Sequence, residues 1–224
     1  MICRCVPADP FTADGDSDNS TFDTNAVYLS FAGGRQFGDF VVEADLGFGF
    51  LSTDKTRTIS GSPDADGDYD SSLLTAGVGI ERTIDLVRDV DMLGFGSVRY
   101  TRQDDDSYTE TGSDANATVG EVTTEVLEAR LGLEAKKSIS GVGSFIGQVG
   151  GVFRRDLGES TADVTVFSAT NELTFAASDF TGGNLLLGYE KEFSTGAKLE
   201  LSAELEFGSG AQGPYVKAGL NWKY

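Results

Sequence analysis

Alternation between apolar and polar side chains is the feature that most constrains the fold of this chain. From Phe40 to Phe50 every second residue is apolar, and the positions between them hold Val41, Glu43, Asp45 and glycine. This period of two matches a β-strand, in which successive side chains point to opposite faces of a sheet. No segment has the 3.6-residue period of an amphipathic helix, so the sequence predicts an all-β protein.

Nine segments carry the pattern, and each is predicted to be an antiparallel strand. Their lengths of about 10 to 12 residues exceed the usual strand of about 5 to 6 and match a tilted crossing of a bilayer. The clear segments are 40–50, 74–81, 127–135, 197–207 and 216–224, and the weaker ones are 23–31, 92–102, 142–154 and 184–193.

The connections between these segments alternate in length, which is typical of an outer-membrane barrel with long loops outside and short turns in the periplasm. Residues 164–167 and 172–175, within one long connection, are predicted to pair as a hairpin above the membrane. The connection at 208–213 is shorter than the alternation predicts. Long connections are predicted at 52–70, 103–124 and 156–183, and short ones at 33–38, 85–91, 137–141 and 194–196.

A period of two does not say which face of the sheet meets water. A soluble β-sandwich hides its apolar face, whereas a membrane barrel turns that face outward to lipid. The strand lengths, the alternating connections and a polar face that mixes charges with glycine favour the barrel. We therefore predict an antiparallel transmembrane β-barrel over residues 23–224, preceded by an acidic flexible segment, a loop remnant, over residues 1–22.

Nine spanning strands is an odd number for such a barrel. Bacterial single-chain barrels have even counts, and an open sheet leaves backbone groups in lipid without partners, at several kcal/mol each. We therefore expect the chain to be truncated, with further strands upstream, and we expect residues 1–224 alone not to close into a stable barrel. The absence of an apolar signal segment near the start has the same explanation.

Composition excludes several classes of function. Lys and Arg number 17 against 36 Asp and Glu, and the net charge of −19 disfavours nucleic acid as a partner because phosphates would be repelled. The chain has no histidine, which excludes Ser-His-Asp and Cys-His catalysis and imidazole metal ligands. We expect no enzyme activity, catalytic residue, metal or cofactor. Residues 64–70 resemble a calcium loop only superficially, and Cys3 and Cys5 are assigned no role.

Charged residues of the polar face are the candidate functional residues. They are predicted to line the lumen, where they either form a hydrated wall of ion pairs or face a translocating chain. These lumen-facing residues are Glu43, Asp45, Glu128, Arg130, Glu134, Lys198, Glu200, Glu204, Glu206 and Lys217.

Several segments resemble the C-terminal β-domain of autotransporters, the self-secreting proteins of Gram-negative outer membranes. The resemblance implies a twelve-stranded barrel of which this chain holds the last nine strands. It also implies that Leu220, Trp222 and Tyr224, where the family usually ends in Phe, form the signal read by the barrel assembly machinery. The segments are VYLSFAGG at 27–34 with 40–50, SVRYTR at 97–102 leading to SYTETG at 107–112, RLGL at 130–133, LGYE at 187–190, 199–207 and AGLNW at 218–222.

The function implied by this resemblance is type V secretion. The chain would be an outer-membrane translocator domain that anchors an N-terminal passenger and passes it to the cell surface. Its partners would be outer-membrane lipid, the barrel assembly machinery and the passenger domain in cis. Two alternatives stay open: a small porin-like or surface-exposed outer-membrane barrel without a passenger, and a soluble acidic β-sandwich lectin or adhesin.

Overall fold

The computed structural model describes residues 2–17, 19–158, 160–175, 179–209 and 214–222. Most of these described residues lie in strands and none lies in a helix, so the predicted all-β class is confirmed. Across these described ranges, no helix is long and apolar enough to span a membrane.

Fourteen strands are formed by the described residues. In chain order they are β1 (Ile2–Ser17), β2 (Ser20–Phe37), β3 (Phe40–Arg57), β4 (Ala65–Ile84), β5 (Asp91–Asp105), β6 (Tyr108–Thr109), β7 (Ala117–Val119), β8 (Val122–Ile139), β9 (Gly143–Asp156), β10 (Thr161–Val166), β11 (Ala169–Thr174), β12 (Phe180–Glu192), β13 (Ala197–Gly208) and β14 (Pro214–Trp222).

Ten of these strands form one antiparallel sheet that curls as a half-barrel. Its order is β1-β2-β3-β4-β5-β8-β9-β12-β13-β14, so strands adjacent in this sheet follow one another along the chain. Strands β1 and β14 are its edges, and within the described ranges they do not pair with each other. The curl brings together side chains from strands that lie several places apart.

Strand β1 is the main difference from the predicted strands. The sequence predicts nine strands and a flexible segment over residues 1–22, whereas Ile2–Ser17 pairs with β2 as a tenth strand of the sheet. Ser17 lies opposite Ser20, and Asn19 has a φ of 73°, a left-handed conformation that asparagine tolerates in tight turns. Backbone pairing along β2 aligns this segment, and its side chains lack the apolar alternation that marks the other strands.

Strands β3 and β4 continue well beyond their apolar segments. They have 18 and 20 residues and stay paired out to Arg57 and Ala65, so most of the long connection predicted at 52–70 is strand. Aspartate, threonine and serine replace apolar residues in this extension. Apolar alternation therefore underestimates the length of a strand that leaves the apolar band.

The next two long connections form a second sheet of order β11-β10-β7-β6. It contains the predicted hairpin, with bounds shifted to those of β10 and β11. Val166 lies opposite Ala169, and Phe167 and Ser168 between them have φ values of 50° and 66°, as in a type I′ turn. Strand β7 pairs with β10, which joins the two connections into one unit.

Short turns join the strands at the opposite end of the sheet. Gly38, Gly141 and Gly196 lie in three of them with φ values of 61°, 75° and 81°, in the left-handed region that glycine adopts without strain. We call this the short-turn end and the opposite one the long-loop end.

Candidate functional site

The exposure of the two faces of the main sheet is the reverse of that in a soluble protein, because the apolar face is exposed and the polar face is covered. Large apolar side chains of the convex face are exposed, with Phe50 at 69%, Leu131 at 72% and Leu187 at 61%. Polar side chains of the concave face are better covered, and Asn184 is only 1% exposed. A soluble β-sandwich would bury its apolar face, so that alternative is wrong. An apolar band around a polar interior is typical of a membrane barrel.

Two arginines and three glutamates form what we call the central cluster of the concave face. Arg130 of β8 donates to Glu128 (2.7 Å, Nε to Oε1), to Glu204 (3.0 Å, Nη1 to Oε1) and to Glu206 (2.7 Å, Nη2 to Oε1). Arg154 of β9 donates to Glu128 at 2.6 Å and to Glu206 at 3.4 Å. Each glutamate therefore meets at least one guanidinium group.

The central cluster shows how strongly the sheet is curved. Strands β8 and β13 lie three places apart, which is roughly 14 Å along a flat sheet. Arg130 reaches Glu204 on β13 because both side chains point into the curve. Asn184 of β12, between them, donates from Nδ2 to Glu204 at 3.2 Å. The network ties four strands together across the concave face.

A second charged group lies on the concave face near the short-turn end. Lys136 Nζ is 2.7 Å from Glu190 Oε2, and Lys198 Nζ is 3.5 Å from Glu190 Oε1. Lys198 also donates to Glu200. These side chains come from β8, β12 and β13, so the polar lining continues from the central cluster toward the short turns.

Strands β3, β4 and β5 form one side of a polar groove of about 480 Å³ on the concave face, and Glu128, Arg130 and Glu204 of the central cluster line its other side. Glu43, Asp45, Glu81 and Arg99 line it, and Arg99 Nη2 donates to Asp45 Oδ1 at 3.0 Å. Gly77 makes room for this pair, because a Cβ there would lie 2.5 Å from Asp45 Oδ1. The groove combines charges of both signs with space for water.

Eight of the ten residues predicted to face the lumen have contacts on this face or line its groove. Their role toward a translocating chain stays a prediction, as does the direction of Lys217. Glu134 lies on β8 at the same alternation as Glu128 and Arg130. Lys217 lies in β14 opposite Ser202. The others are placed as Glu128, Arg130, Glu204 and Glu206 in the central cluster, Lys198 and Glu200 near the short turns, and Glu43 and Asp45 in the groove.

The predicted assembly signal falls at the end of β14. Leu220 lies opposite Leu199 and Trp222 opposite Ala197, at the short-turn end of the sheet, and Tyr224 lies outside the described residues. Recognition of these residues by an assembly machinery stays a prediction.

The sequence did not reveal the partners of the predicted carboxylates. Arg154, Arg99, Lys136, Asn184 and Glu190 each lie within or directly beside a predicted strand, at alternate positions that could have marked them as inward-facing. What alternation cannot supply is the curvature that brings β8 within reach of β13. The pairs therefore became visible only in the folded sheet.

A buried ion pair, which we call the loop latch, lies at the long-loop end. Glu110, just after β6, is 2% exposed, and its carboxylate accepts hydrogen bonds from Arg57 Nε (3.0 Å) and from the backbone N–H of Ala117 (2.9 Å). Arg57 also donates to the carbonyl oxygen of Ala115 at 2.9 Å. The latch fastens the connection between β5 and β8 to the end of β3.

Aromatic packing supports the latch. The ring of Tyr108 stacks on Tyr69 with centroids 5.1 Å apart, and its hydroxyl accepts a hydrogen bond from Lys55 at 3.0 Å. A Cβ at Gly67 would lie 2.8 Å from the Tyr108 ring, so glycine leaves space for it. Lys55, Gly67 and Tyr69 share the alternation of the concave face. The connection therefore folds inward over the long-loop end.

The latch also sets the protonation of its carboxylate. Burial by itself would raise the pKa of Glu110, but the hydrogen bonds from Arg57 and from the Ala117 backbone outweigh burial and hold that pKa below its ordinary value. Glu110 is therefore ionised at neutral pH, as its pairing with a guanidinium requires.

Comparisons with known proteins agree with this geometry. The family model described as Autotransporter beta-domain matches residues 11–206. No curated protein matches the chain. Among solved structures, the translocator domain of autotransporter NalP from Neisseria meningitidis is similar, with a TM-score of 0.69 at 18% identity. The match covers 90% of this chain and 66% of that structure, so this chain spans about two thirds of its length, and at this identity the likeness concerns the fold alone.

The family match extends over most of the chain, from within β1 to within β13. Members of this family are secretion barrels of the outer membrane rather than known enzymes, which places this chain in the outer membrane. The exposed apolar convex face and the alternation of long and short connections agree with a location in the outer membrane. The chain belongs to the autotransporter β-domain family.

Proposed function

We propose that this chain acts as the outer-membrane translocator domain of an autotransporter, anchoring the protein and passing an N-terminal passenger to the cell surface. The observation that carries the proposal is the concave face, where the central cluster and the groove place charges of both signs behind an apolar convex face. A barrel wall that lets a polar chain cross a bilayer presents a polar surface to that chain and an apolar surface to the lipid.

The proposed mechanism is physical, and we propose no catalytic step. Antiparallel pairing satisfies the backbone groups of the sheet within the bilayer, where each unsatisfied group would be expensive. The central cluster sets two guanidinium groups against three carboxylates, so most of the charge in the wall is paired and a small negative excess remains. A passing segment then meets a hydrated surface that holds neither acidic nor basic residues strongly.

The loop latch suits the same function. The connection between β5 and β8 is fastened over the long-loop end, on the concave side, by Arg57 and Glu110. We infer that it narrows the outer mouth when no passenger occupies the passage. A passenger in transit would have to displace this connection or pass beside it.

The experiment that tests translocation uses the full-length protein with an epitope at the N-terminus of its secreted region, produced in Gram-negative cells. External protease added to intact cells is expected to remove the epitope. An epitope that stays protected until the outer membrane is opened would contradict the proposal. If purified protein then also allowed small solutes to cross proteoliposomes, the porin-like alternative would be favoured.

We propose in addition that the barrel assembly machinery reads Leu220, Trp222 and Tyr224. Tyr224→Ala is expected to reduce the amount of heat-modifiable barrel in the outer membrane. Tyr224→Phe is the matched control, because it keeps the ring and restores the family's usual residue, and it is expected to assemble normally. Equal assembly of both variants would contradict this role.

A further inference from the structure

Basic residues lie at the edge of the convex face, at the short-turn end of the sheet. Strands β2, β4, β8 and β12 all run toward that end, and each has an Arg or Lys within two residues of its last residue. A large apolar residue follows two positions later in every case. We call the four cations the basic rim: Arg35, Arg82, Lys137 and Lys191, followed by Phe37, Ile84, Ile139 and Phe193.

The register of the sheet places the basic rim on the lipid-facing side. Arg82 lies opposite Phe40 and Lys137 opposite Phe145, and both phenylalanines belong to the exposed apolar face. The preceding residue, Lys136, points the other way and pairs with Glu190 on the concave face. Neighbouring lysines of β8 thus serve opposite sides of the sheet.

Aromatic rings hold three of the four cations. Arg35 lies 5.2 Å from the ring centroid of Phe37, Arg82 lies 5.2 Å from that of Phe40, and Lys191 lies 5.6 Å from that of Phe193. Transmembrane barrels carry girdles of aromatic residues at both edges of their apolar band, and Arg and Lys extend their charges from there toward the lipid headgroups. The charge and the ring therefore mark one depth in the membrane.

The basic rim keeps capacity for an external anion. Among the described residues, Arg35 and Lys137 form no ion pair, and Lys137 Nζ donates one hydrogen bond to the carbonyl oxygen of Asp89 at 2.7 Å. The Arg82 guanidinium lies 3.7 Å from the exposed carboxylate of Asp39. Exposed pairs of this kind contribute little energy, so an added anion competes with them. A phosphodiester suits the sites, because its oxygens accept hydrogen bonds from guanidinium and ammonium groups and carry one negative charge.

We propose that the basic rim binds the headgroups of anionic glycerophospholipids in the periplasmic leaflet of the outer membrane. The short-turn end faces that leaflet when the long loops lie outside. Four cations, each close to the end of a strand on the lipid-facing side, lie where lipid phosphates are expected. This interaction is additional to translocation and requires only the orientation of the barrel.

The test uses the full-length protein reconstituted in vesicles of phosphatidylcholine with an equal amount of phosphatidylglycerol. Electron spin resonance of spin-labelled lipids measures how strongly each lipid associates with the protein. We expect phosphatidylglycerol to be preferred over phosphatidylcholine, by about fivefold per effective cation. Replacing all four cations by glutamine (Arg35→Gln, Arg82→Gln, Lys137→Gln and Lys191→Gln) should bring the ratio close to one.

Two matched controls separate this proposal from simpler explanations. Lys136→Gln changes the net charge as much as Lys137→Gln but acts on the concave face, so only Lys137→Gln should lower the preference. Arg35→Lys with Arg82→Lys keeps the charge and should keep the preference. Heat-modifiable gel mobility identifies the variants that have folded, and the single variants stand in if the fourfold one does not fold.

Three results would overturn the proposal. If the wild-type protein associated equally with phosphatidylglycerol and phosphatidylcholine, the basic rim would extend its charges into water at the membrane surface without binding anionic headgroups. An equal loss of preference in Lys136→Gln and Lys137→Gln would make overall charge the cause. Removal of the preference by added inorganic phosphate would make free phosphate, rather than lipid, the occupant.

Discussion

The central cluster and the loop latch both pair arginine with glutamate on the concave face, but they differ in redundancy. In the cluster two arginines share three glutamates, and all five side chains keep some contact with solvent. In the latch Arg57 meets Glu110, whose side chain is 1% exposed. Because a buried charge without a partner is costly and a partly solvated one is not, the latch should be the more sensitive region.

Removing the cation of the latch should have the largest effect. Arg57→Ala leaves the Glu110 carboxylate buried, and we expect it to destabilise the closed connection by about 3 kcal/mol. Hydrogen exchange at the amides of Glu110 and Ala117 would measure the change. Arg99→Ala is the control, since Arg99 and Asp45 form an exposed pair worth about 1 kcal/mol or less. Equal effects of the two variants would contradict the difference between buried and solvated pairs.

Acid should open the latch, with an effect smaller than that of removing Arg57. The folded pKa of Glu110 lies below its ordinary value of 4.5, so its stabilising contribution is present above that value. The contribution is lost as the pH falls through the folded pKa. Exchange at the Ala117 amide, corrected for its intrinsic pH dependence, should therefore accelerate below about pH 4.5.

Glu110→Gln supplies the control for this acid effect. The amide still accepts a hydrogen bond but does not titrate, so the transition should disappear while exchange at neutral pH rises. A transition that persists in this variant would assign the acid effect to another group.

Within the central cluster, redundancy predicts an asymmetry between its members. Arg130→Gln removes the cation that, among the described residues, contacts all three glutamates, and we expect a loss of about 1 to 2 kcal/mol. Glu204→Gln leaves Arg130 with two carboxylates and should cost about 0.5 kcal/mol. Urea unfolding of the reconstituted protein, followed by heat-modifiable mobility, would compare the two. A larger loss of stability for Glu204→Gln than for Arg130→Gln would contradict the inference that Arg130 is shared among the three glutamates.

The smallest change in stability is expected at exposed carboxylates that form no ion pair with the described cations. Asp23, Asp54 and Asp68 lie side by side on β2, β3 and β4 and are exposed. Asp54→Asn removes the middle charge and should stabilise the sheet by about 0.2 kcal/mol at low salt. The gain should fade at high salt, and a gain independent of salt would contradict this origin.

Alternation predicted most strands of the main sheet and the face on which several of the charged side chains make their contacts, because both follow from a period of two. Glu128 and Arg130 are examples, since their inward direction is set by β8 alone. Alternation could not predict that Arg130 meets Glu204, because this contact depends on curvature across four strands. Strand β1 and the extensions of β3 and β4 were not predicted, because backbone pairing maintains them without an apolar face.

The loop latch was beyond the reach of the sequence for a different reason. Arg57 and Glu110 are 53 positions apart, and both lie in segments predicted to be loops. No periodic pattern covers either residue, and their contact depends on one connection folding onto the concave side of another hairpin. In this chain, apolar and polar alternation determines the strands of the barrel wall, whereas single contacts between distant residues determine how the connections fold at the long-loop end.

The pairing of β7 with β10 has a consequence for the order of assembly. Val119 lies opposite Val164, and the whole of β8 and β9 separates them along the chain. Such a long segment must be synthesised and brought back on itself before these two strands can meet, and contacts of that span form late because closing the intervening loop is unfavourable. We therefore expect the second sheet to be completed only after β8 and β9 have formed, so that the outer mouth stays uncovered until those two strands are in place.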